Sequence, residues 1–200
     1  MPMELFTCAG GALCLPTRDG ALVARADGGN LIVNPPRKVW ERSELTANEL
    51  RNWSSLVAAA GAAMLRTLPQ LDGGCINYWE AGNWALNPLA PPEGEKRAPE
   101  HRSMQLHLLG RSMESADPNW RWGESPVFPR YAERADWLHE NDRLTPAEAQ
   151  AIVAATAQIL TDKYGFARAD IDLAQPCPSC AYPVAGKTPG KPVRCVECAA

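Results

Sequence analysis

Apolar residues recur at helical spacing in two stretches of this chain and alternate with polar ones in others. Leu50, Trp53, Val57, Ala60, Met64 and Leu68 fall on one helix face, the spacing that buries a stripe and leaves the rest in water. Thr46 and Glu49 precede that run as a capping box, in which each side chain satisfies the other's orphan backbone N–H. Leu68-Pro69 ends the helix. Thr145-Pro146-Ala147-Glu148 opens a second helix with the same box and proline at the first helical position, and Ile152, Val153, Ile159 and Leu160 share one face. Gly165 closes it, and Asp136 to His139 reads as a shorter helix.

Ala21 to Arg25 and Leu31 to Asn34 are apolar and partly β-branched, and the turn Ala26 to Asn30 between them predicts a hairpin. Gly74 to Glu80 and Ser103 to Leu109 read as two further strands. In the second, Met104, Leu106 and Leu108 point to one side and Ser103, Gln105 and His107 to the other. Asn87 to His101 holds four prolines and a run of charge, so it reads as a long exposed loop, and 112–130 is similarly irregular. The expected fold is α+β: an antiparallel sheet of about five strands packed with two main helices.

Composition narrows the picture. With 200 residues, 46% of them hydrophobic, one main domain (1–170) and a small C-terminal module (171–200) are expected. A net charge of −3 and a pI near 5.7 argue against wrapping nucleic acid, for which Lys187, Lys191 and Arg194 are the one local basic cluster. No run of about eighteen apolar residues exists, and residues 1–10 have no leader pattern, so a soluble cytoplasmic protein without membrane contact is expected.

Of seven cysteines, Cys177-Pro-Ser-Cys180 and Cys195-Val-Glu-Cys198 form two knuckles. Each pair can present two sulfurs to one ion, and two pairs close a tetrahedron, so a structural Zn2+ ribbon is expected, able to dock a protein partner. Two disulfides or a redox dithiol are the competing readings. With four protein ligands such a site has no open position for catalysis. Cys8, Cys14 and Cys75 read as small buried hydrophobes.

Between Gly29 and Ser112 several segments stand in the order of a known superfamily. Leu31-Ile-Val-Asn-Pro-Pro-Arg-Lys-Val39, Leu45 to Leu50, Asn77 to Asn83, and Gln105-Leu-His-Leu-Leu-Gly-Arg111 together resemble the histidine-triad (HIT) proteins, especially their dinucleoside-polyphosphate hydrolase branch. The match covers about half the chain. In that family three histidines alternate along one strand, and the middle one attacks an α-phosphate to form a nucleotidyl-histidine intermediate. Laid on this chain the three positions are Ser103, Gln105 and His107.

A carboxamide is no nucleophile at phosphorus, so the usual covalent route fails at Gln105. The resemblance leaves four accounts open: a nucleotide binder without catalysis, a variant with its nucleophile replaced, recruitment of His101, or other chemistry with His107 as base and Gln105 positioning a phosphate or water. It further implies that Asn77 and Asn83 hold ribose or phosphate, that Arg102 and Arg111 neutralise phosphate oxygens, and that the protein is a homodimer. The tryptophans at 79, 84, 120 and 122 offer a base-stacking wall or core packing. The expected function is therefore a hydrolase or nucleotidyl transferase acting on a nucleotide or nucleotide conjugate. The alternatives are a non-catalytic nucleotide-binding adaptor that docks a partner through its ribbon, and a biosynthetic enzyme that repurposed the pocket. For His107 alone, a hydrogen-bonded histidine on a half-buried strand is the plainer reading.

Overall fold

A computed structural model describes residues 2–17, 20–127, 142–172, 174–185 and 195–198. The short helix expected at 136–139 and the basic cluster at 187–194 lie outside them. The chain runs β1 (Met3–Cys8), β2 (Gly11–Leu15), β3 (Asn30–Asn34), α1 (Ala47–Thr67), β4 (Cys75–Ala81), α2 (Ala98–His101), β5 (Gln105–Arg111), α3 (Pro146–Tyr164), β6 (Ile171–Asp172), β7 (Gln175–Pro176) and β8 (Pro183–Val184). The first six strands form one antiparallel sheet in the order β4-β5-β3-β2-β1-β6, and β7 pairs with β8. Among the described residues no helix is long and apolar enough to cross a membrane.

Both expected capping boxes form. Thr46 accepts from the Glu49 N–H while Glu49 accepts from Thr46, and Thr145 and Glu148 repeat the exchange, with Gly165 in the left-handed conformation as the second helix's cap. α1 and α3 pack against each other, and Ala59, Ala60 and Ala63 of the first and Ala149, Ala155 and Ala157 of the second are all buried. Together they cover one sheet face. Leu13, Leu31, Val33, Leu106 and Leu108 fill that layer, and each fully buried leucine contributes about 2 kcal/mol.

Two strand expectations are corrected. Residues 21–25 are not a strand: Ala21, Leu22 and Val23 are buried in an irregular segment laid over the opposite sheet face, ending in a 3-10 turn at Arg25–Asp27. The Arg25 N–H bonds Asp142 O and the Leu22 N–H bonds the Asn30 side chain, so the backbone there is satisfied without a strand partner. The N-terminal hairpin is instead β1–β2, which brings the main sheet to six strands. Ser103 also falls outside β5, because the stretch read as one long loop closes with α2 and the Met104 N–H bonds Val39 O before the strand begins at Gln105.

The sheet face away from the helices is where the candidate chemistry lies. A Cβ on Gly110 would sit 2.1 Å from Gly28 O, so only glycine lets the end of β5 abut the turn before β3. That close approach brings Asn30 opposite Leu109 and Ile32 opposite His107. The 112–124 loop is tied down over the same face. Asp27 Oδ1 accepts from the Ser115 hydroxyl and the Ala116 N–H, at 2.8 Å each, and Trp120 donates its indole N–H to Gly110 O.

Candidate functional site

His107 stands on the far face, buried, directly across from Trp79 on β4. Their ring centroids are 5.6 Å apart at 40°, and Trp79 meets Trp84 edge-on, also at 5.6 Å. Gln105, two residues earlier on the same face, brings its side-chain nitrogen to 3.2 Å from His107 Nε2. On the other side of the ring the Asn30 side-chain nitrogen lies 3.5 Å from Nδ1. The imidazole is therefore flanked by two carboxamides.

Past Trp79, toward the Asn77–Leu109 pair, a pocket of about 420 Å³ opens, lined by Ile76, Asn77, Tyr78, Trp79, Leu109, Trp120 and Pro126. Leu109 and Trp120 also belong to a small hydrophobic cluster with Leu22 and Val23, against which Trp79 and Trp84 pack. Three of its lining residues, Tyr78, Trp79 and Trp120, are aromatic. Asn77 adds a half-buried carboxamide whose oxygen lies 3.9 Å from Cys75 Sγ.

The remaining candidates are distributed differently. Ser103 is exposed and lies before the strand, and His101 ends α2 with Nδ1 3.2 Å from Arg97 O. Asn83 is exposed at the start of a 3-10 turn. Arg102 is buried and engaged within the fold, donating to Trp40 O and to the carboxylates of Glu41 at 3.1 Å and Glu80 at 3.5 Å. Arg111 donates to the Arg121 and Glu124 carbonyls and lies 5.0 Å over the Trp120 ring, so it anchors the loop that walls the pocket. Asn30 was absent from the sequence-derived set. As the last residue of an apparent turn it carried no signal, and only the pairing with Leu109 reveals that it shares a face with His107.

The second site is the cysteine cluster. The Sγ atoms of Cys177, Cys180, Cys195 and Cys198 all lie within 4.8 Å of one another. Tetrahedral sulfurs about 2.3 Å from a central ion stand roughly 3.8 Å apart, so the cluster has the dimensions of a four-thiolate metal site. Cys180 and Cys195 are 3.4 Å apart, well beyond the ~2 Å of a sulfur–sulfur bond. Burial pushes the Cys177 thiol up, but backbone N–H groups of Cys195, Ser179 and Cys180 outweigh it and bring it to about 6. Hydrogen bonding with Cys195 and Cys180 pushes Cys198 to about 12. The four thiols cannot all ionise together without a cation among them, which is the chemistry that a divalent metal supplies.

The cluster is joined to the rest of the fold. Cys177 and Cys195 belong to the main hydrophobic core, Ala185 N–H bonds Glu4 O, and the Tyr182 hydroxyl bonds Leu144 O at 2.8 Å. β6 pairs with β1, so residues 171 and 172 belong to the main sheet. No protein-family model matches this chain, and no curated protein and no solved structure does either.

Proposed function

We propose that this chain is a relative of the histidine-triad proteins that binds a nucleotide or nucleotide conjugate on the His107 face, with the phosphate beside Gln105 and His107 and the base in the Trp79–Trp120 pocket. One observation carries the reading: the ring of His107, 3.2 Å from the Gln105 side chain, packs on Trp79, and Trp79 with Trp120 lines a pocket large enough for a heteroaromatic ring. Imidazole and carboxamide hydrogen-bond a phosphate or its bridging oxygen, and tryptophan faces stack a base at about 1–3 kcal/mol. An antiparallel sheet packed with two capped helices is the coarse α+β class expected from the sequence.

Gln105 favours a second reading within the same site, binding without turnover, because nothing at that position can form a nucleotidyl intermediate. The cluster of four cysteines takes Zn2+ as a structural ion, holding the C-terminal segment against the core.

A paired assay on the protein and its Gln105→His variant, with dinucleoside polyphosphates and nucleoside phosphoramidates, separates these readings. Turnover by the variant alone, with a trapped nucleotidyl-protein, supports a histidine-triad face whose nucleophile is replaced. Turnover by the unmodified protein places the chemistry on His107 or another group. If neither form binds a nucleotide, the proposal fails.

A further inference from the structure

Asn30 is 1% exposed and is held by the backbone at both ends of its carboxamide. Its oxygen accepts from the Leu22 N–H at 3.1 Å, while its nitrogen donates to Leu31 O at 2.8 Å and lies 3.4 Å from Leu108 O. Turned over, the group would set its NH2 against an N–H and its oxygen against two carbonyls, so these partners fix which end is which. The end that faces His107 Nδ1, at 3.5 Å, is therefore the donor. A donor there calls for a lone pair on Nδ1, and the neutral ring then carries its proton on Nε2.

Nε2 points at the end of the Gln105 side chain, 3.2 Å away. Gln105 is only half-buried, and rotating its amide by half a turn presents the oxygen to that proton.

We infer that Asn30 is a positioning residue that holds His107 as the Nε2–H tautomer, so that His107 meets whatever binds beside Gln105 as a hydrogen-bond donor. The identity of the bound group rests on the nucleotide reading above. For a nucleotide, an anionic phosphate oxygen takes the place of the Gln105 oxygen as acceptor. Asn30 itself touches no ligand and acts through the ring.

The test is a long-range 1H–15N correlation spectrum of the full chain labelled with 15N-histidine, recorded without nucleotide near neutral pH and assigned with His107→Gln. The expected pattern for His107 is a protonated Nε2 and an unprotonated Nδ1. In Asn30→Asp, whose carboxylate accepts, the proton moves to Nδ1, and in Asn30→Ala the preference weakens. A ring protonated on Nδ1 in the unmodified protein, or a pattern unchanged in a folded Asn30→Asp, overturns the inference. If both variants unfold, the unmodified protein's spectrum decides alone. A separate titration with nucleoside monophosphates tests the function, so a missing ligand and a wrong tautomer are distinguishable failures.

Discussion

Arg143 grips the Glu197 carboxylate with both terminal nitrogens, at 2.6 and 2.9 Å, and so ties the second cysteine knuckle to the segment that leads into α3. The same guanidinium donates to Pro16 O at 3.2 Å and lies 5.1 Å over the Tyr182 ring. Planar, forked donors make this arrangement specific to arginine. Arg143→Ala should cost about 2 kcal/mol in urea unfolding, since it removes a forked ion pair between two partly buried side chains and the contact with the Tyr182 ring. Arg143→Lys should restore only part of that, because an ammonium cannot donate as a fork.

The cysteine cluster makes a prediction that needs no nucleotide. The purified chain should carry one metal ion per molecule by elemental analysis, and Cys177→Ser or Cys195→Ser should lose it. Both residues sit in the main core, so stripping the metal with a chelator should lower the melting temperature of the whole fold. Unchanged melting after complete metal removal would show that the cluster bears no load.

Acid should loosen the helix starts. The Arg37 hydrogen bond, aided by the Thr46 N–H, holds the Glu49 carboxyl at about 2, against an ordinary 4.5. Burial pushes Glu148 up, but hydrogen bonds from Arg25, Thr145 and Gln70 outweigh it, so this carboxyl also lies below its ordinary value. A folded-state value below the unfolded one means that the contribution is full above the unfolded pKa and is lost as pH falls through the folded one. Unfolding free energy should therefore fall as pH drops from about 5 to about 2. Glu49→Gln with Glu148→Gln should flatten that slope while keeping the capping-box geometry, as urea titrations at a series of pH values would read.

The helices were legible because capping and apolar periodicity are local signals, and Thr46, Glu49, Thr145 and Glu148 do what their spacing implies. The β1–β2 hairpin was not. Every residue of β2 is buried, which removes the alternation that marks a strand with one wet face, while the apolar residues at 21–23 mimic a strand but serve as a cover. At the site, His107 and Gln105 could be read from period-two spacing. Asn30 became visible only through pairing between strands, 77 positions away from His107 along the chain. The arginines Arg102 and Arg111 looked free in sequence because their partners, Glu41, Glu80 and the 121–124 carbonyls, are recruited by the fold.

The most direct test of the proposed nucleotide binding is calorimetric titration of the four common nucleoside monophosphates into the protein and into Trp79→Ala and His107→Ala. The account predicts binding of at least one nucleotide by the protein. Affinity should fall about 5- to 150-fold in Trp79→Ala, the loss expected for one stacked base, and should also fall in His107→Ala. No binding by the protein, or binding that neither substitution weakens, would contradict it.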